Sequence, residues 1–171
     1  DGTTVSESYD KLLIATGSSP IVPAMPGSDD ERILPLWTIP NMDSIAAKIK
    51  AGAKKAVVVG AGFIGLETAE NLAERGLDVT VVELMDQVLP TIDREMATPL
   101  AQELSSLGIA LKLGRKVLSF EKNGNDLSVV LDNDEKLPAD LVVMSIGVKP
   151  NSDLAKAAGL ELGVRGHIKV D

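Results

Sequence analysis

Apolar positions along the chain follow two rhythms. Some form short unbroken runs, and others recur three and four residues apart. Ala56-Val57-Val58-Val59 and Leu141-Val142-Val143-Met144 are continuous runs, the pattern of strands buried on both faces of a parallel sheet. Val79 to Glu83 and Ile109-Ala110-Leu111 predict two further strands. At the start, Tyr9 to Pro20 carries an apolar run stopped by turn residues, which predicts another buried strand.

The helical rhythm appears three times. Asn41 to Lys50 places Met42, Ile45, Ala46 and Ile49 on one side, with Asn41 or Asp43 as cap and Gly52 as stop. From Gly62, the positions Ile64, Leu66, Ala69, Leu72 and Ala73 should face a sheet until Gly76 closes the helix. Asp93 to Leu107 aligns Met96, Leu100, Leu104 and Leu107, although Pro99 should kink the helix or restart it with Thr98 as cap. Between these elements, Pro20, Pro23 and Pro26 mark a linker or crossover.

Val117 to Phe120, Leu127 to Leu131 and a weaker piece around Lys136 are separated by Asn123-Gly124-Asn125 and Asp132-Asn133-Asp134, which predicts a small antiparallel meander. The fold class is therefore α/β, a Rossmann-like doubly wound parallel sheet with a small antiparallel β-meander crossover.

Composition narrows the chemistry. Zero cysteine and one histidine leave no thiolate or His-based metal cluster and no disulfide framework. A formal charge of -8 without a basic stripe, and only 2% aromatic residues, argue against nucleic acid as a partner. Neither a membrane-spanning run nor a signal peptide is seen, so a cytoplasmic location is expected. The chain opens at Asp1 without an initiator Met and stops at Asp171 after the strand-like Gly166 to Val170, as an excerpt from a longer protein would. His167 and Trp37 lack companions and are read as a surface or locally bonded residue and a packing residue, and Lys48, Lys50, Lys54 and Lys55 as a solvated rim.

The informative stretch is Val57-Val58-Val59-Gly60-Ala61-Gly62-Phe63-Ile64-Gly65-Leu66-Glu67, a G-x-G-x-x-G pattern at a strand-to-helix turn. Gly60 permits the tight turn, Gly62 lets backbone approach a pyrophosphate, and Gly65 lets helix and strand pack closely. The plainer alternative is a purely steric glycine turn. Against it stand the strand before, the helix after, and Glu83 at the next strand end, eighteen positions beyond Gly65, where a carboxylate can accept both hydroxyls of an adenosine ribose. Leu84, Met85 and Asp86 offer no cation for a 2′-phosphate, which favours NAD(H) over NADP(H).

Three phrases in order, Tyr9 to Gly17, Gly60 to Glu67 and Ser145-Ile146-Gly147-Val148-Lys149-Pro150-Asn151, resemble successive signatures of FAD-dependent pyridine nucleotide-disulfide oxidoreductases. The nearest branch is that of NADH oxidase, NADH peroxidase and coenzyme A-disulfide reductase. The resemblance implies an NAD(H)-binding domain at 21–150 inserted between remnants of an FAD domain at 1–20 and 151–171. Dinucleotide contacts would come from Gly60, Ala61, Gly62, Phe63, Ile64, Gly65, Glu67, Glu83 and Gly147. Glu67 resembles a glutamate near nicotinamide and flavin, and Phe63 stands where relatives carry a flavin-covering tyrosine. Asp171 would end the strand ahead of the second flavin motif.

The implied function is positioning of NADH for hydride transfer to FAD in the full-length enzyme, with the remainder of the FAD domain as partner and a homodimer possible. These residues alone would be inactive and carry no catalytic residue of their own. A ferredoxin- or rubredoxin-reductase-like flavoenzyme and a non-catalytic NAD-responsive module are the alternatives.

Overall fold

The structure, a computed structural model, describes residues 2–170. The expectation for Asp171 falls outside them. The chain divides into two compact units, one of residues 20–148 and one of the segments up to Ser19 and from Lys149. The crossings fall within β1 (Ser18–Pro20) and β10 (Val148–Pro150), which pair with each other.

In the larger unit the chain runs through β2 (Ile33–Pro35), α1 (Ile39–Lys50), β3 (Lys55–Val59), α2 (Phe63–Glu74), β4 (Asp78–Glu83), α3 (Arg94–Ser106) and β5 (Ala110–Leu113). It continues through β6 (Val117–Asn123), β7 (Asp126–Leu131), β8 (Lys136–Ala139) and β9 (Leu141–Met144). Five strands form a parallel sheet in the order β2-β9-β3-β4-β5, and β6-β7-β8 form the expected antiparallel meander. β2 is an element that the apolar pattern does not announce, because it has three residues and ends in Pro35.

The unbroken apolar runs have a direct explanation. Successive side chains of a strand point to opposite faces. Ala56, Val58, Leu141 and Val143 enter one core with residues of α1, α2 and α3, whereas Val57, Val59, Val142 and Met144 enter a second core with the meander. Helices thus cover one face of the parallel sheet and the three-stranded sheet covers the other.

Several local expectations are corrected. Leu12 and Leu13 are 61% and 87% exposed, and no strand forms between Tyr9 and Gly17. A strand needs ladder partners, and the described residues supply none there. Thr38, neither Asn41 nor Asp43, caps α1. Asn41 Oδ1 instead accepts both the backbone N–H and the hydroxyl of Thr38 at 3.0 Å, fixing the first turn.

In α3, Pro99 lies within one unbroken helix, and Thr98 is no cap but donates its hydroxyl to the Arg94 carbonyl at 2.7 Å. An interior proline costs about 3 kcal/mol. Burying Leu104, with Leu100 and Ala101 partly covered, contributes a similar amount at about 1.5–3 kcal/mol per large side chain. Met96 and Leu107 of the expected stripe are exposed instead, because at 3.6 residues per turn they stand about a quarter turn from Ala97 and Leu104, which face the sheet. Ile64 in α2 is also exposed rather than packed.

The irregular proline-rich segment is pinned by a partly buried ion pair. Arg32 holds Asp30 with two 2.7 Å hydrogen bonds and donates to the Asn125 carbonyl in the β6–β7 turn at 2.6 Å. The guanidinium holds the Asp30 carboxyl well below the usual carboxylate range. The Asp140 carboxyl is lowered as well, because it accepts the backbone N–H groups of Lys54 and Lys55.

The smaller unit contains α4 (Asp153–Ala157) and an isolated bridge between Leu162 and Ile168, in place of a full strand at Gly166 to Val170. Asn151 ties its two segments together. Its side-chain amide donates to the Thr16 carbonyl at 3.1 Å, its Oδ1 accepts the Ser19 hydroxyl at 2.7 Å, and its N–H donates to the Gly17 carbonyl at 2.9 Å.

Candidate dinucleotide site

In an open parallel sheet, ligands bind beyond the carboxyl ends of the strands, where neighbouring chains diverge. Here that point lies between β3 and β9, since β3 leads to β4 on one side while β9 arrives from the meander on the other. A cavity of about 810 Å³ opens there, lined by the turns after β2, β3, β4, β5 and β9. Its size suits a small-molecule ligand.

The three glycines of the first turn do different things. At Gly60, φ is +105° and a Cβ would stand 2.3 Å from the Ser145 carbonyl oxygen, so the turns after β3 and β9 touch only because no side chain intervenes. A Cβ on Gly65 would fall 2.0 Å from the Gly60 carbonyl oxygen. Gly62 differs. It caps α2 and lines the cavity, and apart from its own chain neighbours no protein atom lies within 4 Å of where its Cβ would be. The space over it is open, and the first-turn N–H groups of α2 lack intrahelical acceptors.

Glu83 is clamped. Ala61 N–H donates to its Oε2 at 2.7 Å and Met85 N–H to its Oε1 at 2.9 Å. Each carboxylate oxygen keeps accepting capacity for a ligand, while the two backbone donors fix its orientation at the cavity wall.

Gly60, Gly62, Phe63, Ile64, Glu83 and Gly147 line this cavity. Ala61 and Gly65 do not. Ala61 is fully buried, bonding Glu83 through its N–H and Leu89 N–H through its carbonyl, and Gly65 is packed under the turn. Glu67 is exposed on α2 and borders a second hollow of about 520 Å³ between α1 and α2, which shares Leu36, Phe63 and Ile64 with the first.

Trp37, Arg115 and Lys116 also line the first cavity, and the sequence reading missed them as site residues. A signal existed for Arg115 and Lys116: they directly follow a parallel strand, where ligand-facing turns collect. Among the described residues no helix is long and apolar enough to cross a membrane.

The entire chain, residues 1–171, matches the pyridine nucleotide-disulphide oxidoreductase family, and it belongs to that family. It is 39% identical over 168 residues to an NADH oxidase of Methanocaldococcus jannaschii, covering 95% of this chain and 37% of that one. Among solved structures it resembles the water-forming NADH oxidase of Lactobacillus brevis bound to NADH, with TM-score 0.86, 35% identity, and coverage of 94% and 35% of the two chains. An engineered NADPH oxidase made from that enzyme, bound to NADPH, gives TM-score 0.88 at 33% identity, with coverage of 96% and 36%. Its substitutions fall at a glycine, an aspartate eighteen positions on, the alanine and methionine that follow, and a proline five further, with arginine replacing the alanine and the proline. The chain thus spans little more than a third of these proteins.

Proposed function

We propose that residues 21–150 bind NAD(H) in an FAD-dependent pyridine nucleotide-disulfide oxidoreductase, with 1–20 and 151–171 belonging to its FAD domain. The observation that carries this reading is the pairing of open space over Gly62 with the clamped Glu83 in one cavity. Gly62 and the start of α2 would hold the pyrophosphate, and Glu83 the adenosine ribose hydroxyls. Bound there, NADH supplies a hydride, for which FAD on the rest of the protein is the acceptor. Phe63 and Ile64, exposed over the cavity, would flank the nicotinamide end, and Glu67 would orient its amide from the adjoining hollow. Exposed Tyr9, Leu12 and Leu13 provide apolar surface for the remainder of an FAD domain.

Gly65, Glu83, Leu84, Met85 and Pro90 stand at the spacing of the five positions altered in the engineered NADPH oxidase. That correspondence supports Glu83 as the residue that selects NADH. NADPH lacks one ribose hydroxyl and brings a phosphate against the carboxylate, so NADH should bind at least about tenfold more tightly, a difference of about 1.4 kcal/mol. Replacing Glu83 by Ser together with Leu84 by Arg should narrow or reverse the preference. Fluorescence titration with both dinucleotides checks this. Equal binding by the unchanged protein, or an unmoved ratio in the double variant, would remove Glu83 from the ribose.

A further inference from the structure

We propose that Arg115 is a second reader of the adenosine ribose, whose guanidinium takes a phosphate at the 2′ position and so admits NADPH as a weaker second dinucleotide. The proposal rests on the NAD(H) reading above and deepens it.

β4 and β5 lie side by side in parallel, with Glu83 opposite Leu113. The chain leaving β5 therefore passes beside the chain leaving β4. Two backbone bonds hold it there: Gly114 N–H to the Met85 carbonyl at 2.8 Å, and Arg115 N–H to the Glu83 carbonyl at 2.9 Å. A parallel neighbour is about 4.8 Å away, well within the reach of an arginine side chain. Arg115 and Glu83 both line the cavity.

The guanidinium is also available. Its Nη1 donates to the Gly114 carbonyl at 3.1 Å, which engages one of five guanidinium donors, and Arg115 makes no ion pair among the described residues. Its charge is felt at a distance by Glu135, whose carboxyl is lowered mainly by its hydrogen bond from Lys112 and only in small part by Arg115. Arg115 is half-buried, and its guanidinium turns back onto the carbonyl of Gly114, the residue whose N–H bonds the Met85 carbonyl; a 2′-phosphate would project beside that segment. Lys116 next to it is exposed and carries a compact ammonium rather than a planar fork.

The site thus opposes two charges over one ribose. Glu83 rewards a free 2′-hydroxyl and repels a phosphate; Arg115 offsets part of that repulsion with donors that suit phosphate oxygens. Discrimination is then graded rather than absolute.

The test titrates the intact protein, Arg115→Ala and Arg115→Lys with NADH and with NADPH at low and moderate salt. Alanine retains both backbone bonds, so the turn is preserved. The expected result is NADPH affinity lowered about tenfold in Arg115→Ala, with a shallower salt dependence and NADH changed less than about twofold, and partial recovery in Arg115→Lys. Equal losses for both dinucleotides, no loss for either, or no measurable NADPH binding by the unchanged protein would overturn the proposal while leaving the NAD(H) site in place. Failure of the unchanged protein to bind NADH would instead overturn the reading beneath it.

Discussion

Leu12-Leu13-Ile14 and Leu141-Val142-Val143 are apolar triplets of nearly equal hydrophobicity, yet they end in opposite environments. Leu141, Val142 and Val143 are wholly buried, whereas Leu12 and Leu13 are 61% and 87% exposed. The difference lies in the neighbours. β9 has β2 and β3 on its two edges, the helices on one face and the meander on the other. The earlier run has no ladder partner and no covering layer among the described residues. An apolar run reports a capacity for burial, and the chain around it decides whether that capacity is used.

A carboxylate placed in the buried run gives the largest expected effect. Val143→Asp would put an unpaired charge where no water reaches, and should destabilise the 20–148 unit by more than about 4 kcal/mol. Urea unfolding followed by circular dichroism would show loss of the cooperative transition. Retention of a transition near that of the unchanged protein would mean that β9 is not a buried interior strand of the sheet.

Asp30 sharpens the comparison from another side, since it anchors an irregular segment that would otherwise resemble the unpaired N-terminal run. Asp30→Asn should cost about 1–3 kcal/mol at pH 7 through the lost charge-assisted bonds to Arg32. The folded-state pKa of Asp30 is depressed, so its stabilising contribution is fully present above the unfolded value of about 3.9. It is lost as pH falls from there through the folded value. The stability gap between the two proteins should therefore hold down to about pH 5 and close in acid. A gap independent of pH would place the effect elsewhere.

The smallest effect is expected at Leu13→Ser. In the 171-residue chain it should alter stability by less than about 0.5 kcal/mol, as for other exposed positions. In the intact protein, where the proposed FAD domain would cover this run, the same change should cost about 1.5–3 kcal/mol. Similar costs in both settings would break the comparison.

The sheet was readable from sequence because doubly buried strands leave no polar position to confuse the pattern, as Ala56 to Val59 and Leu141 to Met144 show. The meander was readable from its turns. Less could be read where tertiary packing chooses among near-equivalent helix faces: Leu104 turns inward and Met96 outward from one stripe. The glycine turn and Glu83 announced themselves by spacing, but the bond from Ala61 to Glu83 joins residues twenty-two positions apart and has no sequence signature. Arg115 was legible only as a residue of the turn after a strand, and its neighbour was not. It reaches the cavity through β5 lying beside β4, a neighbour relation that appears only once the strand order is known.

Ile21 N–H donates to the Gly147 carbonyl at 3.0 Å, so the larger unit begins and ends at one hydrogen bond. To any host chain such a unit presents itself as a short loop whose ends are already joined. Loop-closure entropy, which grows only as the logarithm of length, is then met by the folding of the unit itself, whose ends that contact brings together. Such a unit is expected to tolerate being opened elsewhere by circular permutation, with the old ends bridged by a few residues.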